Sequence, residues 1–175
     1  AGKRPVVNWR NITFAMNSLD QVINQAAKAR YMLGGQTAFP LVFRAVCGGG
    51  NRLAAQHSQS PYSLFAHIPG LKVIIPSGAA DAYGLMRAAI RDDNPVVCFE
   101  PARLLGRSEE VDPERSLRLG EAAVRRRGSD VTLVAIGYMV VLAEAAAEAL
   151  AVEGVAVEVV DPRTAAPLDI GTILA

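Results

Sequence analysis

The sequence predicts an α/β fold, in which a parallel sheet carries helices on both faces and part of a second α/β unit follows. Strand-like runs at residues 40–46, 71–76 and 96–100 are apolar almost without interruption. Such runs are typical of parallel strands, because helices cover both faces of a parallel sheet. Helix-like stretches separate these runs along the chain, and this alternation indicates an α/β architecture.

The composition is that of a globular chain with no strong electrostatic preference. Its 175 residues are 51% hydrophobic and 20% charged, and the formal net charge is +1. Acidic and basic residues are intermixed, so we expect neither nucleic acid nor a membrane as a partner. No run of about 18 apolar residues predicts a transmembrane helix. Cys47 and Cys98 lie in apolar runs and are expected to be buried free thiols, which suits a reducing compartment.

The first part of the chain leads from a short strand through a helix to a central strand. Residues 5–9 form a candidate strand, and Ser18 is a plausible N-cap of the following helix. Apolar residues then recur at helical spacing, at Leu19, Val22, Ile23, Ala26 and Ala27. The pair Gly34-Gly35 fits the end of this helix, before the strand at 40–46.

The later elements repeat the pattern in two groups. A short helix at 61–67 precedes the strand at 71–76, and Ser77 is a plausible cap of the next helix. The stretch between Gly106 and Gly120 is charged and contains a proline, which is typical of a linker. A second unit follows, with predicted strands at 131–136 and 155–160 on either side of a helix at 140–152.

The candidate site follows the central strand. Residues 48–50 are three glycines, and the polar residues Gln56, His57, Ser58 and Gln59 come shortly after them. Glycine lets a ligand approach the main chain closely, and α/β proteins place their chemistry at the carboxyl ends of strands. Histidine is also the side chain whose ordinary pKa lies nearest neutrality. The alternative is an exposed loop with an incidental histidine, and the local sequence alone does not decide between the two.

Four stretches together resemble one family. They are residues 54–59 (Ala-Ala-Gln-His-Ser-Gln), 65–73 (Phe-Ala-His-Ile-Pro-Gly-Leu-Lys-Val), 89–95 (Ala-Ile-Arg-Asp-Asp-Asn-Pro) and 160–164 (Val-Asp-Pro-Arg-Thr). In order and spacing the chain resembles the beta subunit of the thiamine-diphosphate-dependent decarboxylating component of 2-oxo acid dehydrogenase complexes. The pyruvate, branched-chain and acetoin enzymes are members of this family, and the resemblance covers nearly the whole chain.

The resemblance implies a domain order, a cofactor and partners. Residues 1–107 would be the later part of a transketolase-like pyrimidine-binding domain, 108–119 a linker, and 120–175 the first part of a transketolase-type C-terminal domain. The beta subunit would grip the aminopyrimidine of thiamine diphosphate, while an alpha subunit holds diphosphate and magnesium in an alpha-two beta-two heterotetramer. A dihydrolipoyl acyltransferase core would be a further partner. The location would be the bacterial cytoplasm, which we favour, or the mitochondrial matrix of a eukaryote.

The resemblance also implies roles for single residues. His57 would assist reductive acylation of the lipoyl group, since the opening dithiolane needs a proton donor. The alternative is a structural histidine bound by Gln56 or Ser58. Phe14 would pack on the aminopyrimidine ring, and its alternative is an ordinary core phenylalanine. A structural potassium ion would be held mostly by backbone carbonyls at Leu41, Ala89, Ile90, Asp92 and Asn94. A helix-ending turn without metal is an equal alternative for these five residues.

Two departures from the family pattern limit what the resemblance implies. The family has an acidic residue at the position of Asn8 and an apolar one at the position of Arg10, where a guanidinium beside the cofactor would need a partner. The family's catalytic glutamate falls before Ala1, so we expect the isolated 175-residue chain to be inactive.

Two alternative functions follow. One is another thiamine enzyme of the transketolase group, and the other is a non-catalytic, beta-like assembly module, which Arg10 slightly favours.

Overall fold

The computed structural model describes residues 2–175, which form two sheets. The strands are β1 (Val6–Asn11), β2 (Val42–Cys47), β3 (Lys72–Ile74), β4 (Val96–Pro101), β5 (Ala123–Arg126), β6 (Val131–Val134), β7 (Val157–Asp161) and β8 (Thr164–Ala166). The first sheet has the order β1-β2-β4-β3-β8, and the second has the order β5-β7-β6. The first four strands of the first sheet are parallel, as the apolar runs predicted.

Helices lie between the strands along the chain. They are α1 (Ala27–Met32), α2 (Tyr62–Ala66), α3 (Ala79–Arg91), α4 (Tyr138–Val152) and α5 (Ile170–Leu174). Helical turns at Ile12–Ser18 and Gln21–Ala26 lead into α1, with 3₁₀ and π character respectively. No helix in the part of the chain that the structure describes is both long enough and apolar enough to cross a membrane.

Both faces of the first sheet are buried, and alternate residues of each strand serve opposite faces. Phe43, Val97 and Phe99 pack on the side that holds Ile12, Val22 and Phe65, which come from the helical segments before β2 and from α2. Val42, Val96 and Cys98 pack on the other side, against α3. Burying one such side chain contributes about 1.5–3 kcal/mol. The predicted α/β fold with helices on both faces is therefore confirmed.

Two predicted helix caps are wrong. The first helical segment begins at Ile12, and Asn11 caps it by accepting a hydrogen bond from the Thr13 backbone N–H. Ser18 lies inside this segment, where its hydroxyl donates to the carbonyl of Ala15 at 3.1 Å. Ser77 does not cap α3, whose N-cap is Gly78. In both places the serine hydroxyl donates to another group of the chain, the Ala15 carbonyl or an aspartate, and does not accept from the N–H groups at a helix start.

Two short strands were missed by the sequence analysis. β5 pairs antiparallel with β7 in the second sheet. β8 follows β7 in the chain but leaves the second sheet and pairs antiparallel with β3 at the edge of the first. The residues of β8 therefore join the two sheets, and the sheet nearest the candidate site is completed by residues that follow β7 in the chain.

A buried group of charged and polar side chains also joins the two parts. We call Ser77, Asp81, Asp161 and Arg163 the seam cluster. The Ser77 hydroxyl donates to Asp161 Oδ2 at 2.5 Å and lies 3.0 Å from Asp81 Oδ2. Arg163 Nη2 pairs with Asp81 Oδ1 at 2.8 Å. All four residues are buried, so their charges depend on one another for compensation.

Candidate functional site

The candidate site forms where β1 and β2 end side by side. β1 ends at Asn11, whose Cα partner on β2 is Val46. Phe14 lies in the helical turn that follows β1, and the glycines at 48–50 follow β2. Because both strands run in the same direction, the segments that leave them meet at one edge of the sheet.

The glycines turn the chain away from β2 and bring the polar loop back. Gly48 has φ +85° and Gly50 has φ +119°, a region that other residues rarely adopt. The Gly48 N–H donates to the carbonyl of Gln59 at 2.8 Å, which closes the loop. Within this loop Ala55–His57 form a single 3₁₀ turn, which carries His57 toward the segment after β1.

His57 and Phe14 lie next to each other. Their ring centroids are 5.3 Å apart, with the rings tilted by 53°. Phe14 is 48% exposed, which makes it unlike an ordinary core phenylalanine. The two residues singled out by the sequence are thus brought together, although they are far apart in the chain.

Asn11 and Thr13 hold the His57 ring, and the sequence analysis did not identify either. Thr13 Oγ1 lies 2.9 Å from His57 Nδ1 and 2.9 Å from Asn11 Oδ1. Asn11 Oδ1 also accepts from the Thr13 N–H, and its Nδ2 donates to the His57 carbonyl at 3.3 Å. The threonine hydroxyl has one hydrogen, which this arrangement directs to Asn11 Oδ1. His57 Nδ1–H then donates to the threonine oxygen, and Nε2 takes no part in these contacts.

These contacts differ from the structural alternative that the sequence suggested. The Ser58 hydroxyl donates to the carbonyl of Ala54 at 2.7 Å and not to the imidazole. A signal for Asn11 was present, because an asparagine directly before an apolar helical stretch is a typical N-cap. Thr13 had no such signal, since its role depends on the loop from β2 folding back over it.

A cavity of about 370 Å³ opens beside the two rings. It is lined by Arg10, Asn11, Phe14, Val46, Leu53 and His57. Most of this lining is apolar, and the exposed face of Phe14 offers a flat surface on which an aromatic ring of a ligand can pack. Val46 and Leu53 extend the apolar lining, and the sequence analysis did not single them out.

The backbone around this cavity is strained. Arg10, Arg52 and Ala54 have φ values of +64°, +53° and +58°, which non-glycine residues seldom adopt. Each such residue costs roughly 1–3 kcal/mol, and residues of this kind cluster at functional sites. Arg10 lines the cavity, and Arg52 and Ala54 flank the lining residue Leu53, so costly backbone conformations occur in both segments that form this site.

The five residues of the predicted potassium site do lie around one turn, at the end of α3. However, a cationic side chain already binds there. Arg4 Nη1 donates to the carbonyls of Ile90 and Asp92 at 3.2 and 2.8 Å, and its Nη2 pairs with Asp93 Oδ1 at 2.6 Å. The carbonyl of Leu41 accepts from the Val96 N–H.

The side chains of the same turn are occupied as well. Arg30 donates to Asn94 Oδ1 at 2.8 Å, and Lys72 pairs with Asp92 Oδ2. Burial would raise the pKa of Asp92, but hydrogen bonds from Lys72 and Asn94 outweigh it and lower that pKa. A potassium ion would meet repulsion from Arg4, so the donor set fits the metal poorly. This favours the other interpretation, a helix-ending turn without metal.

Comparisons with known proteins place the chain in a family. Residues 1–107 match the family described as transketolase, pyrimidine binding domain, and residues 120–175 match the transketolase C-terminal domain. The first match covers more than half of the 175 residues, and the chain therefore belongs to the transketolase pyrimidine-binding family. A solved structure titled split gene transketolase, inactive beta4 tetramer, has the same fold, with a TM-score of 0.81 and 26% identity over 99% of this chain and 53% of that one.

Within this family, curated relatives carry more specific names. The beta subunit of the pyruvate dehydrogenase E1 component from Rhizobium meliloti is 47% identical over 99% of this chain and 38% of the relative. The beta subunit of acetoin:2,6-dichlorophenolindophenol oxidoreductase from Cupriavidus necator is 49% identical over 99% of this chain and 52% of its own length. A mitochondrial pyruvate dehydrogenase E1 beta subunit of rice is 45% identical over 98% of this chain and 47% of its own length. The chain thus spans about half or less of these relatives, which confirm the resemblance to 2-oxo acid dehydrogenase beta subunits.

Proposed function

We propose that this chain is a working part of a 2-oxo acid dehydrogenase beta subunit, which supports thiamine-diphosphate-dependent oxidative decarboxylation of a 2-oxo acid and reductive acylation of a lipoyl group. The observation that carries the proposal is the pairing of the half-exposed Phe14 ring with His57 beside an open cavity. A purely structural histidine and phenylalanine would bury each other. Here both rings line a space that a ligand can enter.

The cavity suits the aminopyrimidine end of thiamine diphosphate. Phe14 offers an apolar face for ring packing, and Val46 and Leu53 add apolar contact. When bound, the cofactor supplies the carbon that adds to the 2-oxo group and takes up the electron pair as carbon dioxide leaves. The residues of this chain would hold and orient the ring and keep water from it.

His57 would act at the lipoyl step. When the acyl group passes to one dithiolane sulfur, the S–S bond breaks and the other sulfur needs a proton. The contact of Nδ1 with Thr13 fixes the imidazole, so that Nε2 is the nitrogen that can supply this proton. Asn11 and Thr13 would be positioning residues for that transfer.

The remaining parts of the site would come from a partner. Among residues 2–175 no group of three or more His, Cys, Asp or Glu side chains is arranged to hold a metal ion. We propose that an alpha subunit binds the diphosphate and magnesium, that the two subunits form a heterotetramer, and that a dihydrolipoyl acyltransferase core accepts the acyl group. The isolated chain would then turn over no 2-oxo acid. Potassium is not part of the proposal.

The test compares His57→Ala and Phe14→Ala in the complete beta subunit assembled with its alpha subunit. His57→Ala should slow reductive acylation of a lipoyl domain by about a hundredfold or more. It should largely spare 2-oxo acid oxidation by dichlorophenolindophenol, which bypasses the lipoyl step. Phe14→Ala should weaken thiamine diphosphate binding by about tenfold, measured by calorimetry, since an aromatic contact contributes roughly 1 kcal/mol beyond its area.

The chain supplies matched controls. His67 is the other histidine and is exposed, and Tyr31 is an aromatic residue that is 88% exposed. Alanine at either position should change neither cofactor binding nor acylation. Cofactor binding that Phe14→Ala leaves intact would contradict the proposed site. If the assembled subunits bind no thiamine diphosphate at all, the assembly-module alternative gains, and turnover of a sugar phosphate would favour a transketolase-type enzyme.

A further inference from the structure

The Ser77 hydroxyl of the seam cluster lies between two carboxyl groups. Its Oγ is 3.0 Å from Asp81 Oδ2 and 2.5 Å from Asp161 Oδ2, and all three residues are buried. A hydroxyl group has one hydrogen, so it can donate to only one of these two oxygens. If both carboxyl groups were ionised, the other contact would hold two oxygens together without a hydrogen between them. The contacts are complete only when one of the two groups carries a proton and donates to Ser77.

The ion pairs of the cluster decide which carboxyl group carries the proton. Asp81 Oδ1 pairs with Arg163 Nη2 at 2.8 Å, and Asp81 Oδ2 lies 3.6 Å from Arg125 Nη1. Two guanidiniums favour the ionised form of Asp81. Asp161 has no such ion pair among residues 2–175, and its Oδ1 accepts from the Arg163 backbone N–H at 2.9 Å. The proton therefore belongs on Asp161, which donates to Ser77, while the hydroxyl turns to donate to Asp81.

The charges around Asp161 give the same assignment. They come from α3, from β5 and from the turn after β7. Arg125 of β5 also pairs with Glu144 of α4, its Nε lying 3.0 Å from Glu144 Oε1. The two guanidiniums of the region are therefore balanced by two carboxylates, those of Asp81 and Glu144. An ionised Asp161, which is 0% exposed, would add a buried negative charge without a cation to compensate it. Burial raises the pKa of Asp161, and Asp81 raises it further.

The proton lies where the chain crosses from one sheet to the other. Asp161 is the last residue of β7, and β8 begins at Thr164 after a turn. The carbonyl of Arg163 in this turn accepts from the N–H of Ile75, directly after β3, at 2.8 Å. Ser77 follows Ile75 by two residues. The contact of Ser77 with Asp161 thus fastens the same turn that positions β8 against β3.

We propose that the proton on Asp161 is a latch, which keeps β8 paired with β3 and opens when Asp161 loses this proton to water. Deprotonation leaves one hydroxyl hydrogen for two buried carboxylates, and the like charges of Asp81 and Asp161 then repel each other. The β8 pairing is therefore stronger below the raised pKa of Asp161 and weakens as pH rises through it. The inference stands independently of the proposed function, because no residue of the seam cluster lines the cavity beside His57.

The first measurement detects the proton itself. The carbonyl stretch of a protonated carboxyl group differs in infrared frequency from that of a carboxylate. The spectrum is recorded for the complete beta subunit assembled with its alpha subunit at about pH 6, where exposed aspartates and glutamates are ionised. We expect a protonated-carboxyl band in wild type that is missing in Asp161→Asn. Identical spectra of the two proteins in this region would overturn the inference.

The second measurement follows the opening of the latch. Hydrogen–deuterium exchange is measured by mass spectrometry on the peptides that carry Ile75 and β8, for wild type and Asp161→Asn at the same pH values. The ratio of the two rates cancels the ordinary effect of pH on amide exchange. Asparagine can donate to Ser77 at every pH, so Asp161→Asn is a latch that stays closed. We expect the ratio to rise by up to about tenfold per pH unit over the interval in which the infrared band disappears.

Glu158→Gln is the matched control. Glu158 is a carboxyl group on the same strand, β7, and its Oε1 lies 3.4 Å from the Thr132 hydroxyl, outside the seam cluster. The same change from acid to amide should leave the band and the exchange of β8 as in wild type. A band that disappears without faster exchange of β8, or a pH dependence that Glu158→Gln abolishes equally, would overturn the inference. A band that persists until the assembly unfolds would do the same, because such a latch would not respond to pH.

Discussion

The seam cluster and the cavity beside His57 differ in the exposure of their side chains and in the pairing of their charges. In the seam cluster, Asp81 and Arg163 are both buried and bind each other directly. Around the cavity, both Phe14 and Arg10 are exposed. Removing one member of a buried charge pair is costly, whereas exposed side chains beside an open cavity are free to contact a ligand. The contrast separates the part of the chain that stabilises the fold from the part that we propose to be functional.

The strongest test of this contrast is Asp81→Ala. It leaves the guanidinium of Arg163 buried without its carboxylate, in addition to an Nε that already has no hydrogen-bond partner among the described residues. We expect the free energy of unfolding to fall by about 3–5 kcal/mol, measured by urea denaturation. The control is Glu121→Ala, which removes the partner of Arg118, a side chain that is 82% exposed. That change should cost about 0–1 kcal/mol. Similar losses in the two variants would show that the seam cluster is not the stabilising element.

The second test uses pH. Burial raises the pKa of Asp161 in the folded protein, and the neighbouring Asp81 acts in the same direction, while the Ser77 hydroxyl only partly offsets them. A carboxyl group with a raised folded-state pKa contributes stability that is fully present below its ordinary pKa. That stability is lost as pH rises through the raised value. We therefore expect the unfolding free energy of wild type, relative to Asp161→Asn, to decrease as pH rises from the ordinary pKa of an aspartate to the raised pKa of Asp161. A difference that grows with pH would mean that the seam cluster favours the ionised carboxylate.

Much of the fold and the central residues of the site followed from the sequence. Apolar runs such as residues 40–46 and 96–100 need no knowledge of their neighbours, because a strand buried on both faces is apolar throughout. The position of His57 after the glycines at 48–50 was equally local. The meeting of Phe14 with His57 needed the rule that parallel strands end at one edge of a sheet, together with the family resemblance.

What the sequence did not predict depends on partners that are distant in the chain. β8 has only three residues, Thr164–Ala166, without a strand-like pattern, and it exists because it pairs with β3. Ser77 was assigned as a cap because the helix start was visible and Asp161 was not. Thr13 likewise had no local signal for its contact with the imidazole. Local patterns predict elements, but long-range hydrogen bonds are set only by the folded chain.

A smaller effect is expected at the turn after α3, which resembles the seam cluster in having its charges paired. Arg4→Met removes the three hydrogen bonds to Ile90, Asp92 and Asp93, and it should lower the free energy of unfolding by about 1 kcal/mol because the pair is partly exposed. The wild-type melting temperature should not change when potassium replaces sodium at equal ionic strength. A clear rise in potassium would instead support a metal site at this turn.

The last prediction concerns Cys47, which lies where the buried sheet meets the loop that forms the cavity. Cys47 is the last residue of β2, directly before the glycine loop. Its thiol is buried, and its sulfur lies 3.6 Å from the hydroxyl oxygen of Tyr62. Burial raises the pKa of Cys47 to about 11. Its thiolate fraction at pH 8 should therefore be about a hundredfold lower than that of an exposed cysteine. Iodoacetamide labelling followed by mass spectrometry should leave Cys47 unmodified in the folded chain and modify it in urea. Rapid labelling of the folded chain would show that solvent reaches the end of β2 and that Cys47 is not buried as described.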